Sequence, residues 1–366
     1  MGTDREWMER ALVLAHRGLG TVWPNPAVGA VLVKDGRIVG EGWTQPGGRP
    51  HAETVALEAA GASARGATLY VTLEPCAHHG KTPPCVDAVI AAGVARVVAP
   101  IEDPDPRVSG QGFARLRDAG IEVEIGEGEA AAHEVNLGFF TRLVVGRPMV
   151  TAKLATSLDA RIATRAGKSQ WITGEAARRE GHRLRADHDA IMVGVGTALA
   201  DDPRLTCRFP GAEDRRPVRI VVDSRLRLPL TSKLVMTAQE TPTWIIALED
   251  TDPLRREALA DLGVDVIEVP PEEVGRPDIA MGLRLLGERG LTRLLVEGGG
   301  RLIASLMAAG AVDRLVWFRA PIVIGGDGIP AVAAIGVDRL DQGPRWRRIG
   351  AVVLGDDVME TYARSA

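Results

Sequence analysis

Apolar and polar positions along the chain fall into two rhythms, one of period near 3.6 and one of runs or alternation. Trp7, Met8, Ala11, Leu12 and Ala15 recur at helical spacing and predict an opening helix over about 4–18. Apolar runs at 28–33 and 38–43 flank Asp35-Gly36, a dipeptide that favours a type I′ turn, so a β-hairpin follows. A helix over about 51–60 comes next, with Pro50 just before it. Residues 69–73 read as a short buried strand, 84–92 as a helix and 94–99 as another strand. Helical and strand signals continue to Ile125, and a last helix covers about 129–144. Gly146-Arg147-Pro148 then breaks the pattern and marks a domain boundary, giving 1–146 and 147–366.

The second half starts a new series. Strand-like runs lie near 149–156, 189–193, 218–222, 243–248, 264–269, 292–296 and 313–318. Helical patterns near 174–186, 253–262, 278–289 and 300–309 separate several of them. Strands alternating with helices predict an α/β domain with a largely parallel sheet.

Composition narrows the class. The 366 residues are enough for two ordinary domains, and 45% hydrophobic with 25% charged residues is a globular balance. No run reaches the ~18 apolar residues of a membrane span. The start, MGTDREWMER, has neither the apolar stretch of a secretory signal nor a myristoylation pattern, so a cytoplasmic protein is expected. Net charge is −4, with residues 1–146 acidic and the remainder close to neutral. Neither half has the basic excess that tracks a phosphate backbone, so nucleic acid is not an expected partner. Five lysines stand against 39 arginines, which draws attention to Lys81, Lys153 and Lys168, each beside a candidate motif. Three cysteines cannot form a disulfide framework.

Two of those cysteines carry the main chemical signal. His51-Ala52-Glu53 is followed by Pro75-Cys76 and Pro84-Cys85. One imidazole and two thiolates are three of the four donors that tetrahedral zinc takes, and an open fourth position is the mark of a catalytic site. Zinc would lower the pKa of a water there to about 7. Glu53, two residues from His51, is expected at an accessible helix start, where it would move protons without ligating. Cys85 should open a helix, whose N-terminus favours a thiolate. The H-x-E and P-C pattern is that of zinc nucleobase deaminases, except that the two cysteines are separated by the loop 77–84. A structural zinc site with His78 or His79 as fourth ligand, or two unrelated buried cysteines, would be the plainer alternatives.

At these residues the chain resembles a known family. Asn25-Pro26-Ala27-Val28-Gly29, His51-Ala52-Glu53, Thr72-Leu73-Glu74-Pro75-Cys76 and Gly80-Lys81-Thr82-Pro83-Pro84-Cys85 are similar to the bifunctional deaminase/reductases of riboflavin biosynthesis. The resemblance covers almost the whole chain. It implies a cytidine-deaminase-like three-layer α/β/α domain followed by a dihydrofolate-reductase-like α/β domain. The implied substrate is a phosphorylated pyrimidine, 2,5-diamino-6-ribosylamino-4(3H)-pyrimidinone 5′-phosphate, with Asn25, His78 and Lys81 holding the base and its phosphate. Thr44 stands where the family often has histidine.

The second half has no G-x-G-x-x-G. Its candidate phosphate cradle is Val296-Glu297-Gly298-Gly299-Gly300-Arg301, from a strand end into a helix, and Gly194 and Gly196 before Thr197 form a second glycine loop. By the resemblance, this half reduces the ribosyl group to ribityl with NADPH. Ala155, Trp171, Thr197, Asp201, Ser224, Gly299, Gly300 and Arg301 would line the cofactor site. Ser169, Arg185, Leu205, Arg208 and Glu297 would line the substrate site, with Lys153 and Glu297 holding or protonating the opening ribose. Arg185 and Arg208 suit a phosphate, because a guanidinium binds it with two parallel N–H groups. Ala160 replaces a usual glycine, and Cys207 reads as a small buried hydrophobe. The family also implies a homo-oligomer, dimer or tetramer. The competing readings are a deaminase acting on another nucleotide or a tRNA base beside a non-catalytic second domain, and a structural zinc module.

Overall fold

The computed structural model describes residues 2–80, 82–105, 109–272 and 275–365. The chain divides into two compact units, Met1–Val145 and Gly146–Ala366.

In the first unit the elements run α1 (Asp4–His16), β1 (Gly29–Lys34), β2 (Arg37–Trp43), α2 (Ala52–Ala60), β3 (Thr68–Val71), α3 (Cys85–Ala92), β4 (Arg96–Ala99), α4 (Gln111–Asp118), β5 (Glu122–Ile125) and α5 (Glu129–Val145). The sheet order is β2-β1-β3-β4-β5, with β1 antiparallel to both neighbours and β3, β4 and β5 parallel. Asp35 and Gly36 both take the left-handed backbone that the predicted hairpin turn requires. Alternate strand residues feed opposite faces. Ala30, Leu32, Leu69, Val71 and Val97 pack with Ala52, Ala56, Val86, Val89, Phe113 and Leu116 from α2, α3 and α4. Val31, Val33, Tyr70 and Val98 pack with Met8, Ala11, Ala132 and Val135 from α1 and α5. This is the three-layer α/β/α arrangement. Its layers are close because glycine lines the strands. A Cβ on Gly29 would stand 1.9 Å from the Ala11 carbonyl oxygen, and one on Gly42 2.4 Å from that of Ala52.

The second unit runs β6 (Met149–Thr156), β7 (Arg161–Ala163), α6 (Glu175–Ala186), β8 (Ala190–Gly194), α7 (Val195–Asp201), β9 (Val218–Val222), α8 (Lys233–Met236), β10 (Thr243–Leu248), α9 (Pro253–Asp261), β11 (Val264–Val269), α10 (Ile279–Glu288), β12 (Arg293–Val296), α11 (Gly300–Ala308), β13 (Arg314–Arg319), β14 (Ile329–Pro330), β15 (Trp346–Leu354) and β16 (Asp357–Arg364). Its main sheet has the order β11-β10-β9-β8-β12-β6-β13-β16-β15. The first seven of these strands are parallel, as the alternation of elements predicts. The last two add an antiparallel hairpin that the pattern does not announce. Gly194 and Gly196 also belong to a different setting from the expected loop: Gly194 caps α7, and Gly196 lies within it.

Ala160 adopts φ +61, which explains why glycine suits that position. Thr44 is buried and serves the backbone: its Oγ1 accepts from the Val28 N–H at 3.0 Å.

Candidate active sites

Three chain segments build the first site. His51 is the N-cap of α2, Cys85 is the first residue of α3, and Cys76 lies in the loop that leaves β3. One donor atom from each, a ring nitrogen and two sulfurs, lie within 4.8 Å of one another. His51 Nδ1 stands 3.2 Å from Cys85 Sγ and 3.7 Å from Cys76 Sγ. The Cys85 N–H, at the positive end of α3, points at Cys76 Sγ over 3.2 Å. Cys76 is held down to about 4 by hydrogen bonding from the Cys85 thiol, with His51 adding to the effect. Soft donors brought together in this number fit zinc with a position left open. Among the described residues the group consists of His51, Cys76 and Cys85, without His78 or His79.

Glu53 departs from expectation. It sits in the first turn of α2, yet it is only 4% exposed. Burial first, and then the neighbouring Cys76 charge, raise its carboxyl to about 7. A carboxyl in that range both accepts and releases a proton near neutrality.

The surroundings include two residues whose roles the sequence did not reveal. Glu74 is buried and accepts N–H groups from Asp103, Gly110, Gly112 and Phe113 at 2.8–3.3 Å. It therefore caps α4 and fixes the segment before it. An acidic residue immediately before Pro75-Cys76 was the available signal. Arg49 Nη1 lies 3.3 Å from His51 Nε2 and donates to Thr82 Oγ1, tying the 77–84 loop to the metal side. Asn25 packs against Gly48, where a Cβ would come 1.9 Å from its Nδ2. Among the described residues His78 Nδ1 is buried without a hydrogen-bond partner. Lys81 lies outside the described residues.

The second site is a cavity of about 680 Å³ at the carboxyl ends of β8, β9 and β12. There the strand order turns back on itself, and such points open a crevice between neighbouring connections. Thr197 and Asp201, four residues apart on α7, line it together, as do Ala155 and Ser224. Gly299, Gly300 and Arg301 bring the N-terminus of α11 to its wall. Gly299 has φ +86, a backbone that L side chains rarely adopt. The volume, the glycine approach and the helix N-terminus fit a phosphate-bearing dinucleotide. Lys153, Ser169 and Glu297 line the same cavity.

Four expected residues do not line it. Trp171 is 68% exposed, with the Arg178 guanidinium 4.8 Å from its ring centroid. Leu205 is buried with φ +49 and acts as a pin for its loop rather than a wall. Arg185 is paired with Glu297. Its Nε and Nη2 each donate to Glu297 at 2.6 Å, and its Nη1 to the Thr206 carbonyl at 2.7 Å. Arg208 is exposed and lies against His182. Burial alone would push the Glu297 carboxyl up, but Arg185 and then Lys153 hold it below its ordinary range. Burial pushes the Lys153 ammonium down, partly countered by Glu297.

The comparisons follow the same division. Residues 1–100 match the cytidine and deoxycytidylate deaminase zinc-binding region. Residues 148–359 match the RibD C-terminal domain. The class is thus a zinc-dependent deaminase carried on one chain with a dihydrofolate-reductase-like reductase. Two bacterial relatives match along nearly the full length. The riboflavin biosynthesis protein RibD of Aquifex aeolicus is 42% identical over 361 residues, 99% of this chain and 98% of that one. That of Escherichia coli is 43% identical over 366 residues, 97% and 98%. The crystal form 1 structure of Acinetobacter baumannii RibD has a TM-score of 0.89 at 37% identity, covering 99% of both chains. A Thermotoga maritima structure described as a diaminohydroxyphosphoribosylaminopyrimidine deaminase/5-amino-6-(5-phosphoribosylamino)uracil reductase has 0.85 at 34%, again covering 99% of both. The chain belongs to the RibD family of riboflavin biosynthesis proteins. It combines a zinc-dependent deaminase with an NADPH-dependent reductase, and a second half without activity is not favoured. Among the described residues no helix is long and apolar enough to cross a membrane.

Proposed function

We propose that the first unit deaminates 2,5-diamino-6-ribosylamino-4(3H)-pyrimidinone 5′-phosphate and that the second reduces the ribosyl group of the product to ribityl. The observation that carries the first step is a buried Glu53 beside the His51, Cys76 and Cys85 donors. Zinc, when bound, supplies the Lewis acidity that makes water a nucleophile near neutral pH. Glu53 takes a proton from the attacking water and returns it to the departing amino nitrogen, so that water is consumed and ammonia released. Asn25 and His78 orient the ring, and the unpartnered His78 Nδ1 supports that role. Lys81 is assigned to the substrate by the family pattern alone.

In the second unit Thr197, Asp201 and the α11 N-terminus, which line the cavity, would hold the cofactor. NADPH supplies the hydride when bound, and the protein's part is orientation and charge. Lys153 and Glu297 face the opening ribose, with Ser169 beside them. We also infer a cytoplasmic homo-oligomer. Support comes from the exposed edge strand β15, whose Val352 and Val353 are uncovered.

The test is Glu53→Ala. Deamination should vanish while bound zinc and reductase turnover stay at wild-type levels. Full deaminase activity in that variant would refute the proton-carrier role.

A further inference from the structure

Cys76 sits in a loop, yet the residues on either side of it are held by one helix. The Glu74 carboxylate, two residues before it, accepts the N–H groups of Gly110, Gly112 and Phe113 at the start of α4. Pro75 lies against the same turn, because a Cβ on Gly112 would stand 2.2 Å from its carbonyl oxygen. Beyond Cys76, the Ala77 carbonyl accepts from Arg115 Nη1 at 3.0 Å. Arg115 follows Gly112 by three residues on α4, so one face of that helix meets residues 74, 75 and 77.

The second cysteine is tied to the same helix. Arg115 Nη2 donates to Asp87, in the first turn of α3 and two residues after Cys85. In turn α3 holds Cys76 itself: the Cys85 N–H points at its Sγ over 3.2 Å, and the Val86 N–H donates to its carbonyl at 3.3 Å. The contacts form a closed circuit from α4 to the Cys76 loop, to α3, and back through one guanidinium. Arginine can close it because its planar fork offers separate donors in fixed directions. The proton transfer assigned to Glu53 makes no use of Arg115. Its side chain is 42% exposed, and an exposed ion pair adds little to stability. What the bridge fixes is the separation of two sulfur-bearing segments. Zinc is sensitive to that separation, since groups behind the ligands are worth about ten- to a hundredfold in metal affinity.

We propose that Arg115 is a positioning residue for the zinc centre. Through the Ala77 carbonyl and Asp87 it holds the Cys76 loop and α3 at ligating distance before the metal arrives, with α4 as the platform. The role concerns metal retention, and it stands whichever pyrimidine is the substrate.

The experiment uses the full chain, freed of metal and titrated with zinc against a chromophoric chelator. For Arg115→Met, which keeps the stem and loses both donors, the zinc dissociation constant should rise about tenfold. The cobalt-substituted variant should show weaker visible bands than the cobalt wild type, because its donors no longer meet in a tetrahedral arrangement. At saturating zinc the deaminase KM should stay within twofold, and reductase turnover should not change. The metal-free melting midpoint of the first unit should move by no more than about 4 °C, the reach of an exposed ion pair. Arg115→Lys, whose ammonium serves one acceptor well, should fall between wild type and Arg115→Met. Gly112→Ala, which forces α4 away from Pro75, should weaken zinc by about tenfold or more. Wild-type zinc affinity in Arg115→Met would overturn the proposal. So would a loss of affinity that comes with an unchanged cobalt spectrum and a larger fall in the metal-free midpoint, which marks general destabilisation. If Arg115→Met does not fold, Arg115→Lys and Asp87→Asn decide, and wild-type zinc affinity in both overturns it.

Discussion

The Arg185–Glu297 pair separates a structural role from a binding role, and the outcome can be worked from its geometry. Both side chains are largely buried, at 17% and 9% exposed, and they meet through two parallel bonds of 2.6 Å. Arg185→Met removes the cation and leaves Glu297 in a low-dielectric setting. Breaking one half of such a pair costs about 3–5 kcal/mol. Lys153 remains near Glu297 and moderates the loss, so the lower part of that range is expected. The same change strips the Thr206 carbonyl of its donor, which adds about 1 kcal/mol or more. For a unit of this size each kcal/mol moves Tm by roughly 2–4 °C, which gives a fall of roughly 8–16 °C for about 4 kcal/mol. Thermal melts, with hydrogen exchange on β12 to isolate this unit, would measure it. Arg185→Met/Glu297→Leu should recover part of the stability, because an apolar pair of similar volume carries no desolvation cost. A loss below about 1 kcal/mol in the single variant, together with a KM increase confined to phosphorylated substrate, would refute the ion-pair account and restore Arg185 to the phosphate.

Two further outcomes test positioning and proton linkage. Gly42→Ala would drive a Cβ to within 2.4 Å of the Ala52 carbonyl and 2.6 Å of the Ala56 nitrogen, both backbone atoms of the helix that carries Glu53. Deaminase turnover should fall at least tenfold and zinc retention should weaken, at an overpacking cost of about 1–3 kcal/mol, while reductase turnover persists; an unchanged deaminase would mean that α2 can shift without consequence. His188 is buried and neutral, bonded to the Leu184 carbonyl and Thr151 Oγ1, and burial lowers its pKa to about 3. The unfolded chain binds this proton from about pH 6.5 downward and the folded chain does not, so stability is lost as pH falls from 6.5 toward 3. Between pH 6.5 and 5 the loss is about 1.6 kcal/mol, and urea denaturation should show it in the wild type but not in His188→Gln; equal pH slopes would sink the assignment.

What was legible in the sequence follows from how local each signal is. The parallel strands of the second unit are continuous apolar runs because both faces are covered, and their predicted bounds fall within a residue or two of the structure. The β15–β16 hairpin was missed because β15 is exposed on both faces, which erases alternation; its Gly355-Asp356 turn was the remaining cue. Zinc chemistry restricts residue types so tightly that His51, Cys76 and Cys85 stand out unaided. The ion pair of Arg185 was not legible, for the opposite reason. Guanidinium binds carboxylate and phosphate with one geometry, and its partner Glu297 lies 112 residues away. Glu74 and Arg49 are likewise defined by what folds onto them. Among the described residues, the misplacement of Glu53 is also a tertiary effect, since nothing local tells that the first turn of α2 is covered.

Glu53 and Glu297 are the same side chain, both deeply buried, and the structure gives them opposite proton behaviour. Burial dominates around Glu53, and the neighbouring thiolate adds to it, so the carboxyl rises to about 7 and exchanges a proton within the working range. Around Glu297 burial acts in the same direction, but the Arg185 fork and the Lys153 charge more than offset it and hold the carboxylate ionised. A fixed anion cannot release a proton at neutral pH. Of the two residues proposed to act on the opening ribose, Glu297 is therefore suited to orient it and to steady positive charge. Burial also lowers the pKa of Lys153, in the same cavity, and Glu297 opposes that shift.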